Sequence, residues 1–155
     1  MAPGGPPAPL VEVTISSQHH RTRLIKGLLD SGADWTTLRM EWKDALRVRD
    51  AECFETKLTG ICGPDNPIMS LATLLDATLD GHTFRMPVAF VKEVPVDLFG
   101  RIGLLERFRV QLDAPAALTT FEWAGAADAP LTAFFTELMK RELAKPAAAP
   151  DSNPS

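Results

Sequence analysis

Alternation of hydrophobic and polar residues over most of the chain predicts a series of short β-strands. These strands are predicted at residues 10–15, 22–29, 54–58, 69–79, 83–91, 110–112 and 118–123. The His19-His20 pair separates the first two strands and predicts a hairpin turn. Asp80-Gly81 separates the two longest strands, and because both of its residues tolerate positive φ, it predicts a tight hairpin.

The C-terminal part of the chain changes to a helical period. Residues 131–143 form a predicted amphipathic helix, with Pro130 near its start and Pro146 after its end. Its apolar stripe consists of Leu131, Phe134, Phe135, Leu138 and Met139. Two interpretations of the stripe stay open, since it either packs on the core or faces a second subunit. Shorter helical turns are predicted at residues 40–46 and 103–108, so the fold class is mainly β with one C-terminal helix.

Length and terminal composition limit the chain to one folded domain. Its 155 residues are enough for one core and too few for two ordinary domains. Residues 1–9 contain four prolines and two glycines, and residues 146–155 are also rich in proline and small residues. Neither end can bury an apolar face, so both are expected to be disordered. The folded domain is predicted to span residues 10–145.

Charge and cysteine content narrow the classes of function. The net charge is −4 and the basic residues are dispersed, so the chain lacks the basic stripe typical of nucleic-acid binding. No stretch approaches the roughly 20 apolar residues that cross a bilayer, and residues 1–9 lack the pattern of a secretory signal, so we expect a cytoplasmic location and no membrane partner. Cys53 and Cys62 match no zinc or redox spacing, and we expect a reduced pair without a metal or cofactor.

One segment places a carboxylate where catalysis can use it. The apolar strand at residues 22–29 runs directly into Asp30-Ser31-Gly32-Ala33, so Asp30 lies in a tight turn at a strand end. Taken alone, this motif is weak, because an ordinary turn between strands has the same composition. A second apolar strand about 70 residues downstream leads into Phe99-Gly100-Arg101 and a short helix-like run.

In this order and spacing, the two segments resemble the retropepsin-like aspartic proteases, which include retroviral proteases and the retroviral-protease-like domains of Ddi-type proteins. The glycines between the segments fit the family's flap, which here consists of Gly60, Ile61, Cys62 and Gly63. The resemblance covers about residues 10–122. It implies a closed β-barrel with a psi-loop, a flap hairpin, and a short helix after the Gly-Arg motif.

The resemblance also implies roles for individual residues. Asp30 would be the catalytic group, and the loop that follows it would contact substrate through Ser31, Gly32, Ala33 and Asp34. Ser31 matches a position whose hydroxyl bonds across the dimer. Gly100 and Arg101 would support the loop from behind, and Asp34–Arg101 would form a partly buried ion pair. On that basis Arg101→Ala is expected to impair folding or dimer formation.

Peptide hydrolysis by carboxylates requires two of them about 3 Å apart, sharing one proton. The chain contains a single Asp-Ser-Gly-Ala motif, so the resemblance implies a homodimer in which each subunit supplies one Asp30. The predicted function is an aspartic endopeptidase that cleaves an extended peptide or protein substrate. The alternative is a catalytically silent dimerisation or peptide-binding module, which Ile102 after the arginine and the proline-flanked flap favour.

Overall fold

The structure is a computed structural model that describes residues 9–58, 66–125 and 129–145. Nine strands, two helices and two short turns make up the described part of the chain. In chain order the regular elements are β1 (Leu10–Ser16), β2 (Thr22–Leu29), β3 (Thr36–Arg39), α1 (Met40–Ala45), β4 (Phe54–Leu58), β5 (Ile68–Leu79), β6 (His82–Val91), β7 (Leu98–Phe99), β8 (Phe108–Asp113), β9 (Leu118–Trp123) and α2 (Pro130–Ala144). The mainly β prediction is confirmed.

Both predicted hairpin turns are present, and each uses a residue in the left-handed region. Asp80 (φ 51°) and Gly81 (φ 77°) connect β5 to β6, with Leu79 opposite His82. His20 (φ 57°) lies in the turn between β1 and β2. An Asp-Gly pair adopts this geometry at little cost because Gly has no Cβ and Asp tolerates positive φ.

Seven strands form one sheet, in the order β1-β2-β7-β3-β6-β5-β4. An additional pairing between β1 and β5 closes six of these strands into a ring. Strand β7 lies between β2, to which it is parallel, and β3, to which it is antiparallel. This insertion of a short strand between two others is the psi-loop arrangement that the resemblance implies. Strands β8 and β9 form a separate hairpin.

The predicted flap residues fall in the chain between β4 and β5. These strands pair antiparallel from Phe54↔Ala72 to Leu58↔Ile68. The predicted flap residues Gly60, Ile61, Cys62 and Gly63 lie outside the described residues. The structure therefore describes the two legs of the hairpin.

A single main core lies within the ring of strands. Its largest side chains are less than 2% exposed and include Phe90, Phe99, Ile15, Ile25, Leu38, Leu46, Met86 and Leu104. Full burial of each such side chain contributes about 1.5–3 kcal/mol to folding. Cys53 is a buried free thiol at the edge of this core, and burial raises its pKa to about 11.

The segment after the Gly-Arg motif differs from the predicted helix at residues 103–108. Its helical turn begins two residues earlier, spans Arg101–Leu105, and is interrupted at Ile102 and Gly103. Gly103 has φ 88°, and its N–H donates to the Glu106 carboxylate at 2.7 Å. A left-handed residue cannot continue a right-handed helix, so the segment is a kinked turn rather than a regular helix.

The C-terminal helix α2 is present with Pro130 in its first turn, as predicted. Phe135 is 2% exposed, and Leu138 and Met139 pack beside it on Phe54 and Ala72. These three residues of the predicted stripe therefore face the core. The other two predicted members of the stripe do not pack on the core in the same way, since Phe134 is 67% exposed and Leu131 is 44% exposed. Within the described residues, no helix is long and apolar enough to span a bilayer.

Candidate active site

Asp30 is held at the end of β2 by the strand beside it. The parallel pairing of β2 with β7 places Leu29 opposite Phe99, and the Asp30 N–H donates to the Phe99 carbonyl at 2.9 Å. The strand before Asp30 is fixed in the core by buried Leu29, whereas the Asp30 side chain is exposed. The catalytic candidate is thus a solvent-accessible carboxylate on a rigid backbone.

Two hydrogen bonds close the turn after Asp30. The Gly32 N–H donates to Asp30 Oδ1 at 2.9 Å, and the Ala33 N–H donates to the Asp30 carbonyl at 3.2 Å. The first is the side-chain bond of an Asx turn, which Asp forms readily. Together they fix the direction of the carboxylate and leave Oδ2 without a bond from this turn. The predicted substrate loop is therefore compact, with Ser31 and Gly32 exposed at its tip.

The Gly-Arg segment supports this loop from behind. The Arg101 N–H donates to the Ala33 carbonyl and the Ile102 N–H to the Asp34 carbonyl, each at 2.9 Å. Gly100 is buried so closely that an added Cβ would lie 2.5 Å from the Trp35 carbonyl oxygen. Only glycine fits there without moving backbone. The supporting role of Gly100 and Arg101 stays a prediction, and these backbone contacts are its physical basis.

Asp34 and Arg101 form the predicted ion pair. The prediction that the pair is partly buried is wrong for the single chain, where the two side chains are 59% and 56% exposed. Both lie at the rim of the loop, outside the core that fixes the backbone beneath them. An exposed pair contributes only about 0–1 kcal/mol, because water screens it.

A cleft of about 480 Å³ opens in front of the loop. Its described lining combines the loop with the apolar end of β4 and the segment before β7 and includes Asp30, Gly32, Ala33, Asp34, Trp35, Thr37, Lys57, Leu58, Val94, Pro95, Val96 and Leu98. Among these residues the only carboxylate besides Asp30 is Asp34, which pairs with Arg101. The described part of one chain therefore offers Asp30 no second, unpaired carboxylate in the cleft.

Comparison with known protein families gives one match that covers most of the chain. The family model "Retroviral aspartyl protease" matches residues 6–113, more than half of the chain. The chain belongs to the retroviral aspartyl protease family. A search of curated protein sequences finds no match.

Solved structures that are similar to this chain include the following three. EIAV protease in complex with the inhibitor HBY-793 is 24% identical, with a TM-score of 0.47 over 65% of this chain and 86% of its own. A retropepsin-like aspartic protease from Rickettsia conorii is 19% identical, with a TM-score of 0.47, and the match covers 67% of this chain and 86% of the Rickettsia chain. The retroviral protease-like domain of Ddi1 from Leishmania major is 16% identical, with a TM-score of 0.46, and the match covers 78% of this chain and 97% of the Leishmania chain.

Sequence reasoning missed a buried carboxylate beside the site. Asp97 precedes β7, is 2% exposed, and accepts hydrogen bonds from the Arg39 backbone N–H at 2.9 Å and from Trp42 Nε1 at 2.9 Å. The Arg39 guanidinium adds two bonds, at 3.2 and 3.3 Å, and this hydrogen bonding raises the pKa of Arg39. Asp97 thereby ties the end of β3 to the strand that holds Asp30. A charged residue within an apolar run was the available signal.

Thr36 is a second residue that the sequence did not single out. It is fully buried in β3, where its hydroxyl accepts from the Gly100 N–H at 3.3 Å and lies 3.7 Å from the Met86 sulfur. The side chain therefore satisfies the backbone of the Gly-Arg segment. The role assigned to the Ser31 hydroxyl involves a second subunit and stays a prediction.

Proposed function

We propose that this chain is an aspartic endopeptidase that works as a homodimer, with Asp30 of each subunit forming the catalytic pair. The observation that carries the proposal is the exposed Asp30 carboxylate, fixed by Gly32 and Phe99 at the base of an open cleft. Membership in the retroviral aspartyl protease family supports the same reaction.

The reaction needs a base that takes a proton from water and an acid that protonates the carbonyl oxygen of the peptide. Two carboxylates that share one proton supply both: as the water oxygen bonds to the carbonyl carbon, one carboxylate accepts a proton from the water and the other donates its proton to the carbonyl oxygen. When the C–N bond of the resulting diol breaks, the nitrogen takes the proton that the first carboxylate accepted, and a diol hydroxyl returns a proton to the second, so the pair again holds one proton. Asp34 is poorly suited as the second group, because Arg101 holds it in an ion pair. A two-fold axis that brings a second Asp30 opposite the first would complete the site.

The shape and lining of the cleft favour an extended peptide as substrate. The cleft lies between the catalytic loop and β4, the last strand in the order of the sheet, and its lining includes apolar side chains. A peptide bound beside strand edges gains backbone hydrogen bonds, and its alternating side chains enter pockets. We therefore propose cleavage within an unfolded or extended segment of a protein.

The test is cleavage of a denatured protein at mildly acid pH, with and without a pepstatin-like inhibitor. Asp30→Asn removes the titrating carboxylate yet keeps an oxygen that can accept from the Gly32 N–H. Asp80→Asn is the matched control, because Asp80 lies in an exposed turn outside the cleft and Asn tolerates its φ of 51°. We expect inhibitor-sensitive cleavage by wild type and Asp80→Asn and a loss of at least about 100-fold in Asp30→Asn.

Two outcomes would contradict the proposal. Full activity in folded Asp30→Asn would exclude Asp30 as the catalytic group. Peptide binding without cleavage by the wild-type protein, unchanged by Asp30→Asn, would favour the silent binding module instead. Circular dichroism of each variant separates loss of activity from loss of fold.

A further inference from the structure

Trp35 forms a wall of the cleft and contacts helix α2 within the protein. It follows Asp34 directly, lines the cleft together with Asp30, and is half-buried. Its ring meets the ring of Phe135 edge-on, with centroids 5.0 Å apart and an angle of 76° between planes. Edge-to-face pairs of this kind are directional as well as attractive, so the position of Phe135 restrains the indole.

Phe135 is itself fixed in the core. It is 2% exposed, and its ring lies 5.5 Å from the ring of Phe54 in β4. Phe54, Phe135 and Ala72 form a small apolar cluster on which Trp35 packs. Three aromatic rings thus run in a row from the β4–β5 hairpin through α2 to the cleft wall.

The carboxylate of Glu106 connects the start of α2 to the segment that follows Gly100 and Arg101. Glu106 Oε1 accepts from the Leu131 N–H at 2.6 Å and the Thr132 N–H at 3.2 Å. Its Oε2 accepts from the Thr132 hydroxyl and from the Gly103 N–H, each at 2.7 Å. Since Ala129 before the helix has no side-chain acceptor, Glu106 caps the free N–H groups of the first turn.

From these contacts we infer that α2, through Phe135, positions the Trp35 wall and so makes the cleft select a large apolar side chain of the peptide. The inference rests on the proposed peptidase function and extends it to substrate choice. Trp35 also packs on the apolar cluster that includes Leu58 and Val94, and these two residues line the same cleft, so the wall is apolar. Helix α2 lies beyond residues 6–113 that match the family model. Phe135 is a positioning residue.

The position of Trp35 is measured first, without reference to activity. In ¹⁵N-labelled protein, the indole N–H resonance of Trp35 is assigned by its loss in Trp35→Phe. Phe135→Ala and the milder Phe135→Leu, which keeps most of the core volume, are compared with Phe134→Ala. Phe134 is the neighbouring residue on α2 and is 67% exposed, so it controls for truncation of a phenylalanine. We expect the resonance to move in both Phe135 variants and to stay in Phe134→Ala; an unmoved resonance in Phe135→Leu overturns the inference.

Substrate choice is measured next, with a peptide that the wild type cleaves and its single-alanine derivatives. The quantity compared is the ratio of kcat/KM for the large apolar side chain to that for alanine at each position, which does not depend on the fraction of active enzyme. We expect this ratio to fall about tenfold at one position in Phe135→Ala, mainly through KM, and less in Phe135→Leu. Phe134→Ala keeps the wild-type ratio.

The inference and the proposed function fail in different ways. An active wild type whose ratios are unchanged in both Phe135 variants overturns the inference and leaves the peptidase function intact. A fall in kcat with every ratio unchanged indicates a purely structural role and also overturns it. A wild type without peptidase activity overturns the proposed function and the substrate-choice claim with it. In that case the Trp35 resonance still tests whether Phe135 of α2 positions Trp35.

Discussion

Replacing Asp97 by alanine tests whether the buried carboxylate behind β7 holds the site together. The substitution removes the acceptor of four hydrogen bonds, two from the Arg39 guanidinium, one from the Arg39 backbone and one from Trp42. The donors stay in place without this acceptor, although the Arg39 guanidinium keeps its ion pair with Glu41. Asp97 is 2% exposed, so in the wild type its carboxylate contacts these donors rather than bulk water.

The expected loss is about 3 kcal/mol of the free energy of unfolding. Removing one partner of a fully buried ion pair costs about 3–5 kcal/mol, and a hydrogen bond to a charged group contributes about 1.5–3 kcal/mol. We take the lower end because the Arg39 side chain is 40% exposed and water can solvate part of its guanidinium. For a chain of this size the loss corresponds to a melting temperature about 6–12 °C lower.

The assay is urea unfolding followed by tryptophan fluorescence, at one protein concentration for all variants. Asp76→Ala serves as the matched control, because the Asp76–Arg85 pair is 51% and 64% exposed on its two sides. We expect that control to lose about 1 kcal/mol or less. If Asp97→Ala is as stable as Asp76→Ala, the assigned role of the buried carboxylate is wrong.

Three further predictions concern Gly100, Arg101 and Glu52. Gly100→Ala is expected to prevent folding or to lower the free energy of unfolding by more than about 3 kcal/mol in urea, because the added Cβ would lie 2.5 Å from a backbone oxygen. The control Gly81→Ala, with φ 77° and open space around it, should lose about 1 kcal/mol. Equal losses in the two variants would contradict this prediction. Arg101→Ala is expected to change the free energy of unfolding by about 1 kcal/mol or less, since its ion pair is exposed, and a loss above about 3 kcal/mol would restore the buried-pair interpretation. Burial by itself would raise the pKa of Glu52, but hydrogen bonds from Arg49, His19 and Gln18 outweigh burial and lower this pKa from 4.5 to about 2. The ionised carboxylate therefore stabilises the fold above pH 4.5, and its contribution disappears as the pH falls towards 2. The difference in free energy of unfolding between wild type and Glu52→Gln should close over that range, and a difference that persists at pH 2 would refute the prediction.

The parts of the fold that the sequence predicted are those with a strong local signal. The Asp80-Gly81 turn is set by two residues that tolerate positive φ, and α2 by an apolar repeat with Pro130 at its start. Strand β3 had no such signal, because Thr36 and Thr37 are polar and the strand has four residues. Its burial comes from its place between β6 and β7, which only the closed sheet provides.

The site divides in the same way. Asp30 was predictable because its motif is continuous in sequence and follows an apolar strand. The Asp97 network joins residues 55 to 58 positions apart, and the contact between Trp35 and Phe135 joins the loop after Asp30 to helix α2. Neither leaves a local pattern. The Asp34–Arg101 pair was predicted from the resemblance, but its exposure depends on how the loop packs.

Mixing wild-type protein with Asp30→Asn protein tests most directly whether two chains build one active site. If each site needs Asp30 from both subunits, only wild-type pairs are active, and an equimolar mixture after subunit exchange keeps about one quarter of the activity of the same total amount of wild type. Mixing with Asp80→Asn should leave the activity unchanged. An equimolar Asp30→Asn mixture that keeps about one half of the activity, as independent active sites require, would contradict the shared catalytic pair.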